Sequence, residues 1–282
     1  KTRVLTCRIA QLLDASAGQN FRIVALTFTN KAADEMRQRV ALLAPGLEER
    51  AFIGTFHGFC SQVLRQHGAH LGLKPDFTIY STESDRHAVL KDALGRAQKE
   101  GLDLEEDDST YLYAIDRLAS RLVEPDQIDK ELPAAGQVRS IRRVYELYEE
   151  ELRRINALDF PSLLMGTYRL ATKFPAIAAR FRRTYPYWLI DEFQDTNQAQ
   201  YRVVKSFLGG DFKELFAVAD DDQIIYGWNG ASFMHIQAFL VDFSAQVVQL
   251  PTNYRCPAEV VEAANRLVVY NTQRTGSKKP LV

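Results

Sequence analysis

The sequence predicts an α/β fold: a mostly parallel sheet covered by helices and interrupted by a long helical stretch. Three observations predict it. Short apolar runs alternate with helical patterns up to about Tyr80. From Ser81 to about Phe181 the chain reads as helix after helix. At Pro186 the alternation returns. A strand–helix–strand rhythm builds parallel sheets, and an insertion whose two ends return to the same sheet accounts for the interruption.

Taken in order, Val4, Leu5, Ile9, Leu12 and Leu13 give residues 3–13 the spacing of a helix, which Gly18-Gln19-Asn20 breaks. Arg22-Ile23-Val24-Ala25-Leu26-Thr27 reads as a buried parallel strand. A helix from Lys31 to Leu43 follows, with Ala33, Met36, Val40 and Leu43 on one stripe, Asn30 as its N-cap and Pro45-Gly46 as its stop. Ala51 to Thr55 is a strand and Phe59 to His67 a helix. In the middle, Ser84–Lys99, Tyr111–Leu122, Val138–Asn156 and Phe160–Leu170 read as helices, and Glu105-Glu106-Asp107-Asp108 as solvated loop. Pro186 to Ile190 resumes the strands. Then come a helix from Thr196 to Leu208, with Tyr201, Val204, Phe207 and Leu208 inward, and strands at Leu215–Ala219 and Val247–Leu250. The last helix runs from Pro257 to Val269, with Pro257 in its first turn. Gly276-Ser277-Lys278-Lys279-Pro280 is polar and linker-like. There is no internal repeat and no low-complexity run.

At 282 residues the chain can bury a real core and form one or two domains. Its formal net charge is −1, so no global basic field advertises nucleic acid, although a local groove could still bind a strand. Cys7, Cys60 and Cys256 are odd in number and scattered, without metal spacing, which suggests a reducing, intracellular setting. No apolar stretch approaches membrane-spanning length and no signal peptide opens the chain. The expectation is a protein with no membrane partner.

The chemistry starts at Trp188-Leu189-Ile190-Asp191-Glu192-Phe193-Gln194-Asp195, where a hydrophobic strand runs into adjacent carboxylates. That is the layout of a Walker B element, with Asp191 holding a Mg²⁺–water shell and Glu192 orienting the attacking water. The same layout also serves as a helix-start signal. Lys1-Thr2 looks like the end of a P-loop, with the lysine on the β/γ-phosphates and the hydroxyl on Mg²⁺. The glycines and strand that should precede it are not there, so the chain reads as a fragment or as a sequence shown without its start. Polar clusters follow the strands at Thr27–Lys31, Gly54–His57, Asp191–Asp195, Asp220–Gln223 and Asn253–Arg255. Parallel α/β proteins bind ligands at that edge.

These clusters carry a resemblance. The segments "ALTFTNKAADEM" (25–36), "GTFHGFC" (54–60), "LIDEFQDTNQAQ" (189–200), "ADDDQIIYGWNGA" (219–231) and "NYRCPAEVVEAAN" (253–265) are similar, in order, to the motifs of superfamily 1 DNA helicases of the UvrD/Rep/PcrA type. "ALDFPSLL" (157–164) resembles the segment leading back from that family's insertion. The chain is similar to the family's N-terminal part. The resemblance implies a RecA-like P-loop NTPase sheet, residues 1–80 and 182–275, with an inserted all-helical subdomain at 81–181. Residues 276–282 would start a linker to a second RecA-like domain of the same parent chain.

The resemblance also implies roles. Lys1, Thr2 and Arg3 would bind ATP, with Thr2 and Asp191 on Mg²⁺. Glu192 would be the general base, Gln223 the γ-phosphate sensor and Arg255 the charge-stabilising guanidinium. The packing alternative for Arg255 is a salt bridge at a domain edge. Phe28, Thr29, Asn30, Lys31, Thr55, Phe56, His57, Tyr226 and Trp228 would bind single-stranded DNA, the rings by stacking. Phe28, Phe56 and Phe59 could instead be core aromatics, whereas Trp228, flanked by Gly227 and Gly230, is expected to be exposed. Two positions depart from the pattern: Asn229 replaces an arginine, and Ala219 a glycine.

The implied function is an ATP-dependent helicase or translocase on single-stranded DNA and single-/double-strand junctions. It would run 3′ to 5′, act in DNA repair or replication, and be cytoplasmic and nucleoid-associated. The fragment itself is expected to be inactive alone. The alternatives are the motor portion of a helicase–nuclease recombination complex and a non-catalytic ATP-binding remnant.

Overall fold

Strand pairing follows the apolar runs. The computed structural model describes residues 1–282 apart from 17, 19, 105, 106, 132–137, 213 and 277. Gln19 of the expected helix break, Glu105 and Glu106 of the acidic run, and Ser277 of the linker-like stretch lie outside the described residues. The elements are α1 (Thr2–Ala15), β1 (Ile23–Thr27), α2 (Asn30–Leu43), β2 (Ala51–Thr55), α3 (Phe56–His67), β3 (Thr78–Tyr80), α4 (Glu83–Lys99), α5 (Asp108–Ala119) and α6 (Ile128–Glu131). They continue with α7 (Val138–Arg154), β4 (Ala157–Asp159), α8 (Phe160–Lys173), α9 (Pro175–Thr184), β5 (Tyr187–Ile190), α10 (Gln198–Leu208), β6 (Leu215–Ala217), α11 (Phe233–Asp242) and α12 (Ala258–Val268). No described helix is long and apolar enough to cross a membrane.

Two compact units divide the chain. The first comprises Lys1–Phe56, Ala179–Asn197 and Phe207–Val282. Its sheet is parallel throughout, in the order β2-β1-β5-β6. Central β1 pairs Ile23 with Ala51 and Tyr187, and Leu26 with Gly54 and Ile190, and all five of its residues are buried. That burial on both faces is why it reads as an unbroken apolar run rather than an alternating one. On one face Leu5, Ile9 and Leu13 of α1 pack with Met36 and Val40 of α2, Ile53 and Leu189. Each such side chain contributes about 1.5–3 kcal/mol on burial. On β5, Trp188 is buried beside Phe207 (centroids 6.2 Å apart), and its indole N–H donates to the Tyr185 carbonyl at 3.0 Å.

The second unit comprises His57–Ala178 and Gln198–Ser206. The sequence boundary at 81 falls inside it. Leu90, Ala93, Leu112, Ile115, Val144, Leu147 and Tyr148 of α4, α5 and α7 form its core. Alongside the helices it contains a two-stranded parallel ladder, Thr78–Tyr80 against Ala157–Asp159. Asp159 ties the unit together. One oxygen accepts from Arg86 Nε (3.0 Å) and the Tyr148 hydroxyl (2.8 Å), and the other caps α8 through the Ser162 N–H (2.9 Å). Arg86 also reaches Asp116 on α5. A buried carboxylate is tolerated when it is paired and hydrogen-bonded in this way.

Several local expectations are corrected. Thr29, not Asn30, is the N-cap of α2: its backbone is extended and its hydroxyl accepts from the Ala32 N–H at 3.1 Å. Pro257 occupies the cap position of α12 rather than its first turn. Val247–Leu250 forms no strand. Val247, Val248 and Leu250 are exposed, and the nearby backbone bonds join Pro251 and Asn253 to Val282 rather than to the sheet. Helices α9 and α11 were not anticipated. The three cysteines are free, and burial pushes the Cys60 thiol up to about 12.

Candidate active site

The carboxyl edge of the sheet is set by its own ladder. The Asp191 N–H donates to the Leu26 carbonyl (2.9 Å) and the Phe193 N–H to the Val218 carbonyl (2.9 Å), so the chain is held on both sides of Glu192. Glu192 lies between them at φ 47, ψ 45, in the left-handed region. A non-glycine residue there costs roughly 1–2 kcal/mol. Strain of this kind persists only where the surroundings enforce it.

Against this edge stands the start of α1. The Thr2 hydroxyl donates to Asp191 Oδ2 at 3.1 Å. Lys1 Nζ donates to Glu192 Oε2 at 2.7 Å and to Gln223 Oε1 at 3.2 Å. Gln223 Nε2 donates to Asp220 Oδ2 at 2.8 Å. The Asp220 N–H donates to Gln194 Oε1 at 2.9 Å, and Gln194 Nε2 donates to Glu192 Oε2 at 3.0 Å. Lys1, Gln223, Asp220, Gln194 and Glu192 therefore form a closed hydrogen-bonded ring.

The ring is short of positive charge. Burial, and then the neighbouring Glu192, pushes the Asp191 carboxyl up, with the Thr2 hydrogen bond partly offsetting them. Burial also pushes Glu192 up, but hydrogen bonds from Lys1 and Gln194 outweigh it and hold that carboxyl below its ordinary value. Asp195 is pushed up to about 6 by burial and by Glu192. Its Oδ1 is buried without a hydrogen-bond partner among the described residues. Three carboxylates against one ammonium, with a hydroxyl and a carboxylate oxygen side by side at Thr2 and Asp191, match the hard-oxygen donor set of Mg²⁺. The helix start beside them suits an anion, because its first N–H groups have no intrahelical partner.

Beyond the ring an aromatic ladder follows. The Phe28 ring lies 5.1 Å from that of Tyr226, and Tyr226 lies 6.1 Å from Trp228. Trp228 is 83% exposed. Gly230 closes its turn at φ +85, and a Cβ there would come within 3.3 Å of Asn197 Cβ. Thr29, Asn30 and Lys31 are exposed at the start of α2 and Thr55 is half-buried. Such a face offers rings for stacking and polar groups for phosphates.

Comparison with known proteins supplies the family. The family model for the UvrD/REP helicase N-terminal domain matches residues 1–244. The chain is 37% identical over 276 residues to the ATP-dependent DNA helicase PcrA of Staphylococcus aureus, and 38% identical over 278 residues to that of Staphylococcus epidermidis. Each match covers 97% of this chain and 37% of the relative. The chain belongs to the UvrD/REP helicase family. It spans little more than a third of the length of these relatives.

In this UvrD/REP chain the structure brings together Lys1, Thr2, Asp191, Glu192 and Gln223. Arg3 is exposed, and its carbonyl accepts from the Thr6 hydroxyl. Arg255 is exposed; among the described residues its side chain makes no bond to the ring, while its backbone N–H donates to Asn253 Oδ1 at 2.8 Å. Phe56 is only 3% exposed, and Phe59 equally little, so the core reading replaces stacking for Phe56: no ring face reaches solvent. His57 belongs to the second unit, with its ring 4.8 Å from that of Phe160. Burial pushes His57 down to about 4, with Asp159 partly offsetting, so it is a neutral ring near pH 7. Ala219 does not adopt a positive φ, and the backbone there has no need of glycine. Sequence reasoning missed Gln194 and Asp220 as ring members and Phe160 as the partner of His57. The only signal for the first two was their place inside polar clusters already singled out.

Proposed function

We propose that this chain binds ATP·Mg²⁺ and single-stranded DNA as the N-terminal motor part of an ATP-dependent DNA helicase. The closed ring carries the reading. It joins the lysine at the start of α1 to the carboxylate after β5, and both to the loop that leads through Gln223 to Tyr226 and Trp228. Thr2 and Asp191 would hold Mg²⁺, which when bound supplies charge neutralisation on the phosphates. Lys1 would turn from Glu192 to the phosphates. Glu192, released from that ammonium, would accept the proton of the attacking water. Gln223, bonded to Lys1 and to Asp220, would register whether the terminal phosphate is present, and the loop after it would move the stacking rings.

Arg255 would approach the phosphate only on nucleotide binding. Translocation needs two domains that close and open out of step, so the proposed partner is a second RecA-like domain of the same parent protein. The greater length of the relatives is consistent with it. Polarity 3′ to 5′, action at single-/double-strand junctions in repair or replication, and association with the nucleoid follow as proposals from the family.

The test is a titration of this chain with a labelled single-stranded DNA oligonucleotide, with and without Mg²⁺ and a non-hydrolysable ATP analogue. The reading expects DNA affinity to change with nucleotide and to exceed that for RNA of the same sequence. DNA binding indifferent to nucleotide, or no nucleotide binding at all, refutes it.

A further inference from the structure

Asp220, Asp221 and Asp222 place carboxylate oxygens within 4.8 Å of one another. The cation among them comes from the chain itself. Lys278 Nζ lies 2.6 Å from Asp220 Oδ1 and 2.7 Å from Asp222 Oδ2, and also contacts Asp221. Arg274 Nη2 donates to Asp222 Oδ2 at 3.0 Å, and Asn271 Nδ2 to Asp222 Oδ1 at 2.9 Å. The Thr275 N–H donates to Asp221. Asn271, Arg274, Thr275 and Lys278 are therefore clasped onto the loop that carries Gln223.

The geometry of Asp220 gives the clasp a role. Its Oδ2 accepts from Gln223 Nε2 at 2.8 Å, while its Oδ1 accepts from Lys278. Oδ1 also accepts from the Asp222 N–H at 3.2 Å, so the carboxylate cannot turn without breaking at least one of these three bonds. Gln223 in turn presents its Oε1 to Lys1. Without Lys278, Arg274 would be the one cationic partner left to the three adjacent carboxylates among the described residues, and their mutual repulsion would favour turning Asp220 away from Gln223. The pairing also holds Asp221 below its ordinary value: burial alone would raise it, but hydrogen bonds from Lys278 and Thr275 prevail.

We infer that Lys278 is a positioning residue: it orients Asp220 so that Gln223 is aimed at Lys1, and with Asn271, Arg274 and Thr275 it ties its own stretch of chain to the state of the phosphate site. The inference rests on the reading of Gln223 as a phosphate sensor.

The experiment measures binding of Mg²⁺ with a non-hydrolysable ATP analogue, and separately with ADP, to the full chain and to Lys278→Ala, Lys278→Arg, Gln223→Ala and the Lys278→Ala/Gln223→Ala pair. Melting temperature is recorded for each. Lys278→Ala should lower the preference for triphosphate over diphosphate by about fivefold or more with ADP affinity retained. Lys278→Arg should restore most of the preference, and the double variant should lose no more than Gln223→Ala alone. If Gln223→Ala loses the preference and Lys278→Ala keeps it, the clasp is refuted while the sensor stands. If Lys278→Ala loses ADP affinity and melts much earlier, Lys278 is a fastening and not a positioning residue. If the unsubstituted chain shows no preference, or Gln223→Ala leaves it intact, the sensor reading fails and the clasp falls with it.

Discussion

Glu192→Gln separates the contact that Glu192 makes with Lys1 from the role of general base proposed for it. Glu192 holds the Lys1 ammonium at 2.7 Å, so on the proposed reading a phosphate competes with Glu192 for Lys1. Glutamine keeps the size and one acceptor oxygen but removes the charge. Both partners are partly exposed, at 23% and 33%, which places the competing pair near the top of the range for accessible ion pairs, about 1 kcal/mol. Removing it should tighten ATP binding about fivefold. The backbone strain at position 192 is unchanged, because glutamine is no freer than glutamate in the left-handed region. Loss of the base should meanwhile slow hydrolysis by the whole protein about 10²–10⁴-fold. Calorimetric titration with ATP·Mg²⁺ reads the first effect and a steady-state phosphate assay the second. Weaker or unchanged ATP binding would show that Lys1 and Glu192 do not compete, and near-normal turnover would remove Glu192 from the role of base.

Asp195→Asn should stabilise the chain at neutral pH. The native carboxyl is pushed from 3.8 up to about 6, so ionising it costs native stability. That cost is absent below about pH 4, grows through the interval and is complete above about 6. The gain at pH 7.5 should reach up to about 2 kcal/mol after allowance for solvent screening. Urea melts at pH 7.5 and pH 4 check it, and an equal gain at both would remove charge as the cause. Trp228→Ala should weaken single-stranded DNA binding by about 1–3 kcal/mol, with little dependence on base sequence. Its melting temperature should be unchanged, because the ring is exposed; a large drop would mark it as a packing residue. Phe56→Ala should do the reverse, costing about 3–5 kcal/mol of stability. A stable Phe56→Ala variant with lost DNA affinity would return that ring to the DNA face. His57 should stay neutral, with its ring-proton NMR shifts flat between pH 8 and 5.5. A midpoint near 6.5 would contradict its burial.

Strand β1 was legible because complete burial leaves no polar alternation to confuse it, and β2 and β5, half-buried in part, still read as unbroken apolar runs. The same apolar signal misled at 247–250, where the residues have the composition of a strand without a ladder to join. Helix α11 escaped notice because Phe233-Met234-His235-Ile236 shows no clean polar face, and Met234 is exposed while Ile236 is buried. At the site, the identity of Asp191 and Glu192 was readable from a strand running into charge. Gln194, Asp220 and Lys278 were not, because their roles are hydrogen bonds across 26 and 58 positions of sequence. No local pattern encodes such bonds; they exist only once the sheet has placed β5 beside β6.

The short ladder between Thr78–Tyr80 and Ala157–Asp159 has a consequence for how this lineage can vary. Residues 81–156 leave and rejoin at one neck, closed by backbone bonds and by the Asp159 carboxylate. Lengthening a loop closed in that way adds little entropic penalty, since the cost rises only with the logarithm of its length. Helices could be added, trimmed or exchanged between the two ends of the neck while the paired strands stayed in register. Inheritance is therefore expected to be strict at Asp159 and Arg86 and permissive in the helices they enclose, which would make this stretch the place where relatives acquire new surfaces without retuning their nucleotide chemistry.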